Sequence, residues 1–161
     1  MLKKFNLLFL TLFNIGKIKK APGTVASLFT CLLFLSLINI FDIFIILLIT
    51  LVFFFYSIVA INNSFDEFTA NDPQEIVIDE FVGQMIPLLA IPIYEILYPL
   101  PKIYYCISAF LFFRFFDIWK PFPVNYIDEN VRGALGIMLD DVFASIYTIF
   151  ILLIIFFLLG G

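Results

Sequence analysis

Histidine is absent from this chain of 161 residues. Its absence excludes imidazole general bases, histidine nucleophiles and most transition-metal sites. Cysteine is nearly absent too. Cys31 and Cys106 each lie in an apolar segment without a motif partner, so neither a disulfide nor a zinc site is expected. Charge is sparse, at 14% of residues against about 25% in a typical soluble domain. No basic surface large enough to bind nucleic acid is left once a membrane face is set aside. A small-x-small cleavage site is also missing after the first apolar run: Asn14, Ile15, Gly16 and Lys17 stand there instead. Residues 1–15 therefore read as a retained amphipathic or re-entrant segment rather than a cleaved signal peptide.

What the chain does have is apolar sequence. Hydrophobic residues make up 63% of it, with 23 Phe, against about 45–50% in soluble domains. A base-composition bias could favour Phe over Leu or Val, but not this total. The length suits one domain, 1–161, embedded in a membrane. Apolar runs occupy 25–41, 43–61, 81–98, 103–119 and 142–159. About 20 residues cross a bilayer core, so the expectation is an all-α, polytopic membrane helical bundle. It has about four or five spanning helices and a possible N-terminal interfacial helix. The first two runs form a hairpin turning near Asn39–Asp42. The third contains Gly83, Pro87 and Pro92 and is either a kinked span or a re-entrant element.

The charges fall on one side. Lys3, Lys4, Lys17, Lys19 and Lys20 lie in the first twenty residues. With that end in the cytoplasm, as the positive-inside bias asks, five crossings put 1–24, 62–80 and 120–141 on the same face. That face then holds every Lys and Arg except Lys102, with Arg114 just inside a helix end.

It also gathers the groups able to do chemistry. Asp79-Glu80 and Asp140-Asp141 each precede or open an apolar run, and Asp117 and Asp128 lie nearby in the same polar region. Acids at a helix N-terminus suit the helix dipole, but two pairs plus two further acids exceed what capping needs. Converging carboxylates repel unless a cation joins them. Oxygen donors without His or Cys favour Mg²⁺ held by carboxylates, water and a substrate phosphate. Arg114 and Asp117 share a helix face at i, i+3, and Lys120 continues it. Gly23 and Gly133–Gly136 offer backbone that a phosphate could approach, with Lys19, Lys20, Arg114, Lys120 and Arg132 as counter-charges. An aspartyl-phosphate route lacks its Asp-x-Asp-x-Thr/Val run, and no Cys-x5-Arg loop exists. What remains for phosphate-ester cleavage is water activated by metal and carboxylate.

At these residues the chain resembles the phosphatidylglycerophosphatase A family. The matching blocks are Ala21-Pro22-Gly23-Thr24 with Ser27, Ile76 to Gly83, Phe113 to Pro121, Asp128 to Gly133, and Gly136 to Asp141. They cover most of the chain from Gly16 to Ser145. Lys19 stands where the family usually has Pro, and Ala26, Ala134 and Ser145 replace frequent glycines. The resemblance implies a Mg²⁺-dependent phosphatase of the bacterial inner membrane, multi-pass, with its site facing the cytoplasm. Such an enzyme converts phosphatidylglycerophosphate to phosphatidylglycerol and phosphate. Asp79, Glu80, Asp117, Asp140 and Asp141 are the pool of catalytic and Mg²⁺-binding residues. Arg114, Lys120 and Arg132, with Gly23 and Thr24, are the expected phosphate-binding set. The partners are a phospholipid and the membrane.

Three other readings use the same features. A small ion or proton transporter would want its carboxylates near mid-span. A CDP-alcohol phosphotransferase would need Asp-Gly-x-x-Ala-Arg, which the chain lacks. A membrane scaffold would not need clustered acids.

Overall fold

The computed structural model describes residues 2–64 and 74–161. Asp66, Glu67, Asn71, Asp72 and Pro73, part of the polar segment 62–80, lie outside the described residues. The protein is an all-α membrane bundle, with no strand among the described residues.

The chain opens with α1 (Leu2–Leu10) and a short 3₁₀ turn (Ile15–Lys17). Pro22 then sits in the first turn of α2 (Pro22–Leu37), where its missing N–H costs nothing. The hairpin turn falls where the sequence placed it. Helix α2 ends at Leu37 and α3 (Ile43–Ser64) starts after Asp42, whose Oδ1 accepts the Phe44 N–H at 2.8 Å. Helix α4 (Ile78–Leu89) carries Asp79 and Glu80 in its first turn. It breaks at Ala90 and continues as α5 (Ile91–Leu97). Pro87 lies inside α4 and Pro92 in the first turn of α5, so the third apolar run is the kinked element expected from its prolines. Helix α6 (Lys102–Trp119) is closed by Lys120 in the left-handed conformation, φ 47°. A short α7 (Val124–Asn130) leads into α8 (Ala134–Gly160).

One sequence expectation shifts here. The last span starts at Ala134 rather than at residue 142, and the short α7 lies in the polar region before it. Asp140 and Asp141 marked a polarity boundary, but the helix runs through it because the packing around them accommodates charge.

Among the described residues, three stretches are long and apolar enough to cross a membrane: Ile43–Ser64, Ile78–Leu97 and Ala134–Gly160. Helix α2 is 16 residues long, short of the roughly 20 that a bilayer core needs. Helix α6 carries Lys102, Arg114 and Asp117. The middle stretch is the most enclosed, with α4 packing against α2, α3, α6 and α8.

The helices alternate in direction, and close contacts fix which ends meet. Ser64 at the end of α3 and Val77 just before α4 both bond α1, so these two ends lie together, and Phe81 of α4 packs on Phe53 at the middle of α3, ring centroids 5.6 Å apart. At the opposite end, a β-carbon on Gly160 would lie 2.0 Å from the Leu97 carbonyl oxygen. The last turn of α8 therefore rests against the end of α5. Helix α1 lies on α3 at the first of these ends. Asn6 Nδ2 donates to Ser64 Oγ, its Oδ1 accepts from the Tyr56 hydroxyl, and the Val77 N–H bonds the Leu10 carbonyl.

Candidate active site

Close backbone approach brings the polar residues together. A β-carbon on Gly83 would sit 2.9 Å from Asp141 Cβ and 2.9 Å from Phe113 Cζ, so α4, α6 and α8 cross at this glycine with no room for a side chain. Small residues allow such approach between membrane helices. Ser145 secures the crossing, its hydroxyl lying 2.6 Å from the carbonyls of both Gly83 and Asp141. Gly83 follows Glu80 by three residues, so the crossing carries the acids of α4 to those of α8.

The result is a carboxylate cluster. Oxygens of Asp79, Glu80 and Asp141 all lie within 4.8 Å of one another. Two oxygens on opposite sides of a hard divalent cation are about 4–5 Å apart. Asp79 Oδ1, Glu80 Oε2 and Asp141 Oδ2 are buried and have no hydrogen-bond partner within the protein. Buried polar atoms are nearly always satisfied, and a bound cation would satisfy three such acceptors in one place. Asp79, Glu80, Asp117 and Asp140 all repel the Asp141 carboxylate. An all-oxygen donor set under mutual repulsion fits a hard divalent cation.

Unpartnered donors lie beside these acceptors. Arg114 Nη1 is 2.7 Å from Asp117 Oδ2 and 4.0 Å from Glu80 Oε1. Even so, Arg114 Nε and Nη1 are buried without a properly aligned acceptor. Gly23, at the start of α2, completes this wall: its β-carbon would lie 1.9 Å from Glu80 Oε1 and 3.3 Å from Arg114 Nη1. Orphaned acceptors next to orphaned donors is the pattern that a cation with a bound oxyanion would satisfy.

A second group flanks the first. Lys120 Nζ donates to Asp140 Oδ2 at 3.1 Å and contacts Asp128 Oδ1 of α7 at 2.7 Å. Burial disfavours the charged lysine, but the hydrogen bonds and charges of Asp128 and Asp140 outweigh it and push its pKa up. Asp140 Oδ1 accepts the Asp141 backbone N–H at 2.9 Å, so both of its oxygens are engaged.

The five expected acids thus gather at one end of the bundle in two tiers. Asp79, Glu80 and Asp141 form the cluster, while Asp117 pairs with Arg114 and Asp140 with Lys120. Gly23 belongs to the same wall. Thr24 is partly buried beside it and makes no side-chain hydrogen bond among the described residues. Arg132 is exposed and forms no ion pair among the described residues. Gly133 adopts φ 74° ahead of α8. Gln84 escaped the sequence reading. It lies one turn beyond Glu80, is fully buried, and neither amide atom has a partner. An uncharged polar residue in an apolar span was the available signal.

Comparison with known proteins follows the same outline. The family model for phosphatidylglycerophosphatase A matches residues 8–156. The chain is 37% identical to a protein of Haemophilus influenzae named Phosphatidylglycerophosphatase A, over 86% of this chain and 81% of that one. It is 33% identical to one of Bacteroides thetaiotaomicron named "Putative phosphatidylinositol-3-phosphatase", over 87% of this chain and 86% of that one. It is 38% identical to the Phosphatidylglycerophosphatase A of Escherichia coli, over 47% of this chain and 40% of that one. No solved structure matches.

Proposed function

The chain belongs to the phosphatidylglycerophosphatase A family, and from that premise we propose that it hydrolyses phosphatidylglycerophosphate to phosphatidylglycerol and phosphate. The observation that carries the reading is the meeting of unsatisfied carboxylate oxygens on Asp79, Glu80 and Asp141 with Arg114, whose Nη1 pairs with Asp117 and whose buried Nε has no acceptor. A divalent cation and a phosphomonoester satisfy both sets at once. The cation is Mg²⁺, because the donors are all oxygen and the substrate contributes phosphate.

Asp79, Glu80 and Asp141 hold the ion. When bound, Mg²⁺ offsets the charge of the phosphate and lowers the pKa of a coordinated water. Arg114 orients the phosphate through its free N–H groups. Asp117 fixes Arg114 through Oδ2 and uses Oδ1 as the general base that takes a proton from the attacking water. Lys120, held charged by Asp128 and Asp140, faces the departing side and adds positive charge. The phosphorus–oxygen bond to glycerol breaks as the water oxygen bonds phosphorus, and the glycerol oxygen receives a proton. The two acyl chains of the substrate keep its phosphate at the interface, where this end of the bundle lies. The lysine-rich start of the chain supports an orientation with that end at the cytoplasmic face of a bacterial inner membrane.

Purified protein should release inorganic phosphate from phosphatidylglycerophosphate in mixed micelles, lose this activity with chelator, and regain it with Mg²⁺. Phosphatidylinositol 3-phosphate belongs in the same panel, given the name of the Bacteroides relative. Absence of release from any lipid phosphate, with Mg²⁺ present, would overturn the reading. The transport alternative finds no support. It wants carboxylates along a path, whereas among the described residues the five site acids meet at one end, with Asp42 apart in the α2–α3 turn and Glu95 apart in α5.

A further inference from the structure

A groove of about 440 Å³ runs between α3, the α4–α5 element and α8. It starts at Val82 and Val142, next to the cluster residues in sequence, and passes Leu51 and Ile86 to reach Leu47 and Ile93. Phe53 against Phe81 sets the direction, so Phe54 lies at the site end of the groove and Leu47 lies deeper. Its lining is apolar apart from Thr50, whose hydroxyl is turned to the Ile46 carbonyl at 2.8 Å. From Val82 to Ile93 the helix advances about 16 Å at 1.5 Å per residue. That is half of a roughly 30 Å hydrocarbon core, the depth of one leaflet.

We infer that this groove seats one acyl chain of the lipid whose phosphate occupies the carboxylate–arginine site. The inference rests on the proposed function for the headgroup and adds where the tail goes. Three features select an acyl chain as occupant. The groove begins at Val82, one turn beyond Asp79 on the same face of α4, its single polar lining group is turned to the backbone, and its length is about that of one leaflet. Headgroup and tail are then gripped by the same helix. Glu80 and Val82 lie two residues apart on α4, so the seated chain sets how deep the phosphate sits. Chain length becomes a specificity determinant of the enzyme.

The test uses the full-length protein in phosphatidylcholine vesicles, with phosphatidylglycerophosphate bearing a diazirine midway along one acyl chain. Photolabelling should map to residues 47–54 and 82–93. It should fall on adding excess unlabelled phosphatidylglycerophosphate and persist with excess phosphatidylcholine. Labels elsewhere, or labels that phosphatidylglycerophosphate does not compete, would overturn the inference, the latter marking an ordinary bilayer lipid. A disulfide joining two copies through Leu51→Cys would overturn it as well, by covering the groove with protein. Phosphate release measured alongside separates the two claims. Groove labelling without release leaves the tail site standing and the headgroup reading lost, and release without groove labelling does the reverse. Ala90→Phe, which fills the groove toward its deep end, should lower kcat/KM for the dipalmitoyl substrate relative to the dihexanoyl one by about tenfold, the effect of excluding roughly two methylenes. An unchanged ratio in active Ala90→Phe protein would count against the groove.

Discussion

A β-carbon on Gly23 would lie 1.9 Å from Glu80 Oε1. The start of α2 is therefore pressed against a cluster carboxylate, and the missing side chain holds that carboxylate in place. Gly23→Ala meets only the ends of two flexible side chains, the Glu80 carboxylate and, at 3.3 Å, Arg114 Nη1, so the fold should survive, with a stability change within about 1 kcal/mol. Glu80 must swing away, however. Mg²⁺ should bind at least about tenfold more weakly, and phosphate release should recover partly at high Mg²⁺. Isothermal titration and activity against Mg²⁺ concentration check this. Wild-type Mg²⁺ affinity in Gly23→Ala would show that the contact does not position Glu80.

Asp79→Asn and Asp141→Asn each remove charge from a cluster under repulsion. The metal-free variants should unfold at or above the wild-type temperature, because the repulsion is relieved. The wild type should gain stability on adding Mg²⁺, by about 2.7 kcal/mol at a hundredfold excess over Kd, and both variants should lose most of that gain. Thermal unfolding in detergent, with chelator and with Mg²⁺, separates the two effects. A Mg²⁺-induced rise undiminished in both variants would place the ion elsewhere.

Arg114→Lys keeps the charge and removes the planar fork. Lysine can still balance Asp117 and Glu80, which lie 2.7 Å and 4.0 Å from the guanidinium, so the fold should hold. It cannot donate in bidentate fashion to phosphate. The expected outcome is a loss of roughly a hundredfold in kcat/KM, with Mg²⁺ affinity within about twofold of wild type. Equal losses in both would mean that Arg114 supports the cluster rather than the substrate.

Parts of this arrangement were legible in the sequence for identifiable reasons. Asp42 between two apolar runs marks a turn because lipid cannot solvate it, and its side chain does cap the start of α3. The Asp79-Glu80 and Asp140-Asp141 pairs flag one face because charge at the ends of apolar helices must meet water, a partner or a ligand. How the acids sort between the two tiers was not legible. That depends on the helix crossing at Gly83, tied by Ser145 across 62 residues of sequence, which no local pattern encodes. The start of α8 was misplaced for a related reason. Asp140 and Asp141 read as a boundary, yet Lys120 and the Asp141 N–H satisfy Asp140, so the helix passes through charge without interruption.

Ser145→Ala removes a hydroxyl that bonds back to Asp141 and across to Gly83. Losing one net hydrogen bond costs about 1 kcal/mol, and the unpaired Gly83 carbonyl adds a little to that. Mg²⁺ affinity should drop severalfold, because Asp141 is no longer anchored to α4 at that crossing. Chemical denaturation and Mg²⁺ titration read the two quantities separately, and an unchanged affinity would confine Ser145 to stability.

Lys120 and Asp140 make a pH-dependent prediction. Lys120 is held by Asp128 and Asp140, and its pKa in the folded protein is raised above its ordinary value. A raised pKa means that folding favours the charged form. Its contribution to stability is therefore complete below the unfolded value, about 10.4, and is lost only as pH rises through the higher folded value. Lys120→Gln should be less stable than wild type by a constant margin from pH 8 to 9, and the margin should shrink above pH 10. Asp140→Asn keeps the shape, and its amide oxygen can still accept one of the two hydrogen bonds, but it removes half of the charge facing Lys120. It should lower Mg²⁺-dependent phosphate release by roughly a hundredfold or more while the protein stays folded, with the Lys120 pKa falling but still held up by Asp128. Thermal unfolding across pH, together with phosphate release, tests both variants. Full activity in folded Asp140→Asn would remove the second tier from the mechanism.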